Sequence, residues 1–136
     1  MTQGVELVIA NLQTKSKNAG CADAPNYAVD QLGQTPFSLA FEGSGTTEFI
    51  SAGFAKDFAT VIVQHHVSHN ITPKDIAKAA ALRDPFLKAI RDDPQLGSTC
   101  DTVTSVKRRF GAMKLGTLDT IGYQYEITVK IDLAST

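Results

Sequence analysis

The chain has 136 residues, the size of one domain, and carries 13 basic and 14 acidic side chains for a net charge of −1. This balance argues against a general nucleic-acid-binding protein. No apolar run approaches the roughly 20 residues of a membrane span, and the first residues do not resemble a secretory signal. Cys21 and Cys100 are too few for a disulfide framework and match no zinc spacing, so we expect reduced thiols in an intracellular protein.

The first predicted element is an amphipathic helix from about residue 2 to residue 18, which Gly20 can end. Its apolar positions recur at helical spacing: Val5, Val8, Ile9 and Leu12. Residues 21–35 then predict a long loop that contains several turn formers. Loops of this length in small domains are usually functional or interfacial.

Two strands are expected next. Residues 36–42 alternate, and the glycine-rich run 43–47 is expected to break this strand. Its apolar face is Phe37, Leu39 and Phe41. Residues 49–54 predict an extended loop or a hairpin arm, and residues 54–70 a second long strand. One face of that second strand carries Ala59, Val61, Val63, His65, Val67 and His69.

A second helix has a clear start. Thr72 can cap the helix, Pro73 suits its first position, and Asp75 lies in its first turn, near the positive end of the helix dipole. The expected apolar stripe is Ile76, Ala79, Ala80, Leu87 and Ile90, with Phe86 alongside. Pro85 lies inside this run and predicts a kink, or a restart of the helix with Asp84 as a new cap. The run 92–94 should end the helix.

The last predicted hairpin joins strands at 102–113 and 118–133 through a turn at 114–116. Every odd position from Ile121 to Leu133 is apolar, and a period of two places such a set on one face of a strand. The side chains expected to face the helices are Tyr123, Tyr125, Ile127, Val129 and Ile131. Those expected to face outward or into an interface are Gln124, Glu126, Thr128 and Lys130.

The order of these elements is helix, strand, strand, helix, strand, strand. It predicts an α+β fold in which an antiparallel sheet of about four strands carries two main helices on one face. We expect a single domain over residues 1–136.

No residue pattern in the sequence indicates catalysis, and we predict no enzyme, no cofactor and no metal. No nucleophile motif surrounds a serine, and the run 43–46 lacks the lysine of a phosphate-binding loop. His66 should point away from His65 and His69, which stand roughly 13 Å apart on a strand. Metal ligands lie about 2 Å from the ion. The histidines therefore have an expected structural or interface role, with a pH-sensitive contact as an alternative.

Two segments are candidates for contacts with partners. The apolar side chains Phe49, Ile50 and Phe54 form a docking arm or pack against the first helix.

The basic run is Lys107-Arg108-Arg109. We expect Lys107 and Arg109 to share one strand face with Val103, and Arg108 to lie on the other face. These cations either meet solvent or contact a partner, which is an acidic neighbouring subunit or the phosphates of passing DNA.

One order of elements runs through residues 5–133: an opening helix, a proline-bearing loop, two hairpins and a capped helix between them. The segments that define it are FATVIVQHHV at 58–67, TPKDI at 72–76, FGAM at 110–113 and GYQYEITV at 122–129. Together they resemble the tail terminator proteins of long-tailed bacteriophages, also called tail completion or minor tail proteins.

This resemblance implies a hexameric ring on the last ring of the tail tube, which stops polymerisation and faces the head connector while DNA passes through the lumen. It implies a virion protein at the head-proximal end of the tail, made in the host cytoplasm. Its partners would be further copies of itself, the tail tube protein and a head-completion or neck protein, with no membrane. The interface candidates are Phe49, Ile50, Phe54, Lys107 and Arg109.

Two alternatives to the tail terminator remain open. One is a head–tail connector or neck protein of the same particle, which would also form a ring. The other is a small soluble ligand-binding domain or enzyme of α+β type.

Overall fold

The computed structural model describes residues 3–26, 34–51, 53–68, 73–115 and 118–132. The elements are α1 (Val5–Ala19), β1 (Phe37–Ser51), β2 (Phe54–Ser68), α2 (Pro73–Asp92), β3 (Thr102–Leu115) and β4 (Leu118–Asp132). This order confirms the predicted α+β fold. Thr72, Gly116, Leu133 and residues 27–33 of the long loop, all of which entered the predictions, lie outside the described residues.

The four strands form one sheet in the order β1-β2-β4-β3, and each neighbouring pair is antiparallel. The strands β2 and β4 are therefore central, and β1 and β3 are the two edges. Because three antiparallel pairings separate the edges, β1 and β3 run in opposite directions.

Both helices pack against one face of the sheet, which we call the helix face. The core there joins Val8 and Leu12 of α1 and Phe86 and Ile90 of α2 to Ala59, Val61, Val63, Tyr125, Ile127 and Val129 of the central strands. The alternation predicted for β4 is confirmed. Four of its five helix-facing side chains are at most 1 % exposed, and the fifth, Tyr123, is partly buried against the same core.

The opposite side of the sheet is called the outer face. Gln124, Glu126, Thr128 and Lys130 of β4 lie there, and all four are partly or fully exposed. The predicted apolar face of β1 lies there too. Phe37 and Leu39 form a separate buried cluster with Phe41 packed against it.

The strand β1 does not break at residues 43–47 as predicted. It continues to Ser51, and the glycine-rich run instead forms an irregularity in its pairing with β2, between Glu42 and Gly45. A Cβ atom at Gly45 would lie 3.1 Å from the carbonyl oxygen of Phe58, so the close approach of the two backbones favours glycine. The hairpin-arm interpretation of residues 49–54 is confirmed, because these residues end β1 and begin β2.

The helix α2 does not restart at Asp84. It runs through Pro85 as one helix of 20 residues, and the Asp84 carboxylate accepts a hydrogen bond from Arg83 Nε at 2.9 Å. The predicted stripe is also wrong at Ile76, which is 45 % exposed. The buried side chains around the proline are Leu82, Phe86 and Ile90. At about 1.5–3 kcal/mol each they outweigh the roughly 3 kcal/mol cost of a proline inside a helix.

Replacing Gly122 by alanine tests the close approach of β4 to β2. A Cβ atom at Gly122 would overlap the backbone carbonyl oxygen of His65. We expect Gly122→Ala to lower the free energy of unfolding by more than about 2 kcal/mol, measured by urea denaturation.

The matched control is Gly111→Ala. Gly111 lies directly across from Gly122 on the edge strand β3, and no atom lies within 4 Å of an added Cβ there. Its effect should stay within about 0.5 kcal/mol. Equal effects of the two substitutions would contradict this packing.

Candidate functional site

The tip of the β1–β2 hairpin presents three large apolar side chains to solvent. Phe49 is 84 % exposed, Ile50 64 % and Phe54 60 %. The alternative that this run packs against the first helix is therefore wrong. Contiguous exposed apolar side chains are typical of docking sites.

The basic run lies at the middle of the edge strand β3. Lys107 and Arg109 lie on the outer face, opposite Glu126 and Gln124 of β4, and Arg108 lies on the helix face. All three cations are exposed, and none forms an ion pair with any residue that the structure describes. The run of Lys107, Arg108 and Arg109, with Phe110 beside it, is called the basic edge.

The prediction that Val103 shares a strand face with Lys107 and Arg109 is wrong. Val103 lies opposite Val129 and packs against the core on the helix face. A register shift between Val103 and Ser105 inserts one extra residue into β3 and so exchanges the faces on the two sides of it.

The other edge of the sheet is acidic. Glu42 and Glu48 of β1 are exposed, and Glu6 is exposed in the first turn of α1. Within the described ranges none of these three carboxylates takes part in an ion pair.

A groove of about 580 Å³ lies between the start of α1 and β1. We call it the acidic groove, lined by Val5, Glu6, Leu7, Ile9 and Glu42. Sequence reasoning missed it because the groove brings together two segments more than thirty residues apart, and the pattern of each segment indicates a helix or a strand but no binding site.

A buried polar cluster joins α1 to the sheet. Ser16 Oγ lies 2.9 Å from His65 Nε2, and Ser38 Oγ donates to Gln13 Oε1 at 2.7 Å. Gln13 Nε2 in turn donates to the Ser38 carbonyl oxygen at 2.9 Å. All four side chains are at most 1 % exposed. The hydrogen bonds offset the cost of burying polar groups beside the core.

The contact between Ser16 and His65 pairs a hydroxyl with an imidazole, as a catalytic nucleophile and base do. The surroundings of this pair differ from those of a catalytic site. Burial, with His66 as a smaller cause, lowers the pKa of His65 to about 3. His65 Nδ1 has no hydrogen-bond partner among the described residues, whereas a catalytic base is usually oriented through its second nitrogen. The geometry supports a structural role for Ser16 and His65.

His66 lies on the outer face, opposite in direction to His65 as predicted. Its Nδ1 contacts Thr120 Oγ1, and its Nε2 lies 3.0 Å from Gln64 Oε1. Gln64 Nε2 donates to Gln124 Oε1 at 2.8 Å, so Gln64 Oε1 accepts from His66 and the histidine proton lies on Nε2. Burial lowers the pKa of His66 to about 4.

The metal prediction concerns a third histidine, His69, which lies outside the described residues. In the described part of the chain no three His, Cys, Asp or Glu side chains are grouped so as to hold a metal ion. The absence of a metal stays a prediction.

Both cysteines are free thiols, as expected, and both are buried. Burial raises the pKa of Cys21 to about 12 and that of Cys100 to about 11. Both thiols are therefore protonated at neutral pH and are poor nucleophiles.

Two further findings bear on the class of protein. Neither helix, over the ranges described above, is long and apolar enough to cross a membrane. No known family model matches the chain, and no curated protein sequence matches it at a significant level. The resemblance to tail terminators therefore enters the function only as part of a proposal.

The two buried histidines should make stability depend on pH. Their folded-state pKa values of about 3 and 4 lie below the ordinary value of 6.5, so the unfolded chain binds protons first as the pH falls. Their contribution is present above about pH 6.5 and is lost as the pH falls towards 4 and 3. Between pH 7 and pH 5 we expect a loss of about 2 kcal/mol per histidine in urea denaturation.

The variant His66→Gln separates this effect from that of the carboxylates. Asp93 has a lowered pKa, held down mainly by its hydrogen bond from Lys15, and it loses its contribution in more acidic solution. Between pH 7 and pH 5 the variant should lose stability with about half the slope of the parent chain. An unchanged slope would contradict the buried neutral state of His66.

Proposed function

We propose that this protein is a structural component of a long-tailed bacteriophage particle. Copies of the chain form a closed ring of six that caps the tail tube, stops its polymerisation and joins it to the head connector. DNA passes through the lumen without sequence-specific contacts. The protein is made in the host cytoplasm and acts at the head-proximal end of the tail.

The observation that carries the ring in this proposal is the pair of sheet edges, and the place of the ring in a phage tail rests on the resemblance of the sequence to tail terminators. Residues 22–24 cover only the start of β1, where Ser38 N donates to the Asp23 carbonyl oxygen at 2.9 Å. Residues 42–51 of β1 are exposed, and among the described strands β3 pairs only with β4. Unpaired strand edges are ready templates for pairing with another chain.

The direction of these edges supports a ring. Since β1 and β3 run in opposite directions, β3 of one copy can lie antiparallel to β1 of the next copy. Such a contact uses two different surfaces of each copy, and a contact of this kind repeats from copy to copy until rotation closes the ring.

The position of the hairpin tip supports a role at the tube. Phe49 and Ile50 lie at the end of β1, and Phe54 lies at the start of β2, so all three are at one end of the sheet. If the edges join neighbouring copies, rotational symmetry places all the tips on the same rim of the ring. One rim then carries a circle of exposed apolar side chains suited to docking, while the other rim differs and offers no site for another tube subunit.

The proposal is tested with the purified chain and the tail tube protein of the same phage. Light scattering should give the mass of six copies, and electron microscopy should show rings. Addition of the chain to polymerising tube protein should shorten the tubes. A monomer at every concentration would overturn the ring. A ring that binds a head-completion protein but leaves tube length unchanged would favour the neck-protein alternative.

The double substitution Phe49→Ser and Phe54→Ser tests the docking role of the tip. Loss of two large apolar contacts should weaken binding of the ring to the tube at least about tenfold, measured by co-sedimentation. Ring mass should not change, because the substitutions leave the backbone and the charges of both edges unaltered. Ile76→Ser on α2 removes another exposed apolar side chain and should leave tube binding unaffected. Equal binding by both variants would show that the tip is not the docking site.

A further inference from the structure

We infer that the basic edge of one copy docks into the acidic groove of the next copy. In this contact Arg108 faces Glu6 and Glu42, and Phe110 lies against the apolar wall of the groove. The inference rests on the proposed ring and specifies the contact between its subunits.

Charge complementarity is the first argument. The two edges of one sheet carry opposite charges, with the three cations of the basic edge on β3 and Glu42 and Glu48 on β1. All of these side chains are exposed and lack ion-pair partners throughout the described residues. A second copy of the chain therefore supplies an opposite charge for each set.

The faces of the strands give the second argument. Arg108 and Phe110 lie on the helix face of β3, opposite Tyr125 and Tyr123. When one copy continues the sheet of another, the helix faces of both stay on the same side. Arg108 and Phe110 then point to the side on which α1 and Glu42 form the acidic groove.

The outer faces of the two edges also differ in charge. Glu48 lies opposite Lys56 on the outer face of β1, and Lys107 and Arg109 lie on the outer face of β3. The two edges therefore carry opposite charges on the outer face as well as on the helix face.

Apolar complementarity is the third argument. Phe110 is 38 % exposed on the basic edge, and Leu7 is 41 % exposed in the acidic groove. The groove volume of about 580 Å³ falls within the roughly 300–1,000 Å³ of pockets that enclose small molecules, so it has room for an arginine and a phenylalanine side chain.

The observations favour a second copy over DNA as the occupant of the basic edge. The three cations point to both faces of the strand, so no single face carries all of them, and Glu126 lies opposite Lys107 on the outer face. Surfaces that bind nucleic acids typically have their cations clustered on one face.

The test uses two charge reversals in the full chain, Arg108→Glu and Glu42→Arg, with Lys78→Glu on α2 as the control. All three residues are exposed, and circular dichroism confirms folding of each variant. Mass is measured by light scattering over a range of concentrations. Each edge or groove variant should dissociate at concentrations at least about tenfold higher than the parent ring does, since like charges then meet at every contact. The control should match the parent.

Mixing the two variants gives the decisive result. In a ring in which the two variants alternate, there are two kinds of contact. In one, the glutamate introduced at position 108 meets the arginine introduced at position 42. In the other, the native Arg108 meets the native Glu42, as in the parent chain. We expect the equimolar mixture to recover rings that contain both variants in equal number.

Other outcomes overturn the inference. Rings of parental stability from either variant alone, or no recovery on mixing, would do so while leaving the proposed function intact. An Arg108→Glu ring of parental stability that has lost retention of duplex DNA would assign the basic edge to DNA instead. A parent chain that never assembles would refute the proposed ring itself, and this inference with it.

Discussion

The pairing of β2 with β4 is the constraint on which the rest of the structure depends. It sets Ala59, Val61 and Val63 beside three apolar side chains of β4, and these six side chains form the wall against which both helices pack. At about 1.5–3 kcal/mol for each of the larger side chains, their burial is comparable to the whole net stability of a domain, about 5–15 kcal/mol. A slip of one residue would turn this set to the other face, so the register of this one pair determines which side of the sheet is the core. The close approach of Gly122 to the His65 carbonyl holds that register from the backbone side.

The helix face is used for folding, and in the proposed ring the edges are used for assembly. Both described helices cover the same face, and the exposed charges of β1 and β3 contribute little to the fold, since exposed charges rarely stabilise a protein by more than about 1 kcal/mol. The sequence at the edges is therefore free to be set by a partner. Opposite charges on the two edges permit contact between β3 of one copy and β1 of another, and they disfavour contact between two β1 edges or two β3 edges. All copies in an assembly then face the same way.

The sequence predicts the elements well where a periodic pattern decides them, and fails where a long-range contact decides them. The alternation of β4 gives its buried side chains directly, because a period of two has only one interpretation. A glycine-rich run gives the same signal whether it ends a strand or forms a bulge, so residues 43–47 were mispredicted. The predicted face of Val103 is wrong because of a bulge that has no marker in the sequence.

Long-range contacts also decide the buried polar residues. Gln13 and Ser16 lie on the buried side of α1, but their hydrogen-bond partners belong to other elements, so no local pattern indicates that these polar side chains are buried. The acidic groove could not be predicted for the same reason.

Amide hydrogen exchange, measured as a function of protein concentration, tests most directly the claim that both sheet edges are assembly surfaces. Amides of the central strands β2 and β4 should be protected at every concentration, because their partners belong to the same chain. In residues 42–51 and 104–113, the amides that point away from the sheet should exchange rapidly in dilute solution, and those of both segments should become protected together as the protein assembles. Protection of only one of these segments, or assembly that leaves both exchanging rapidly, would contradict the account.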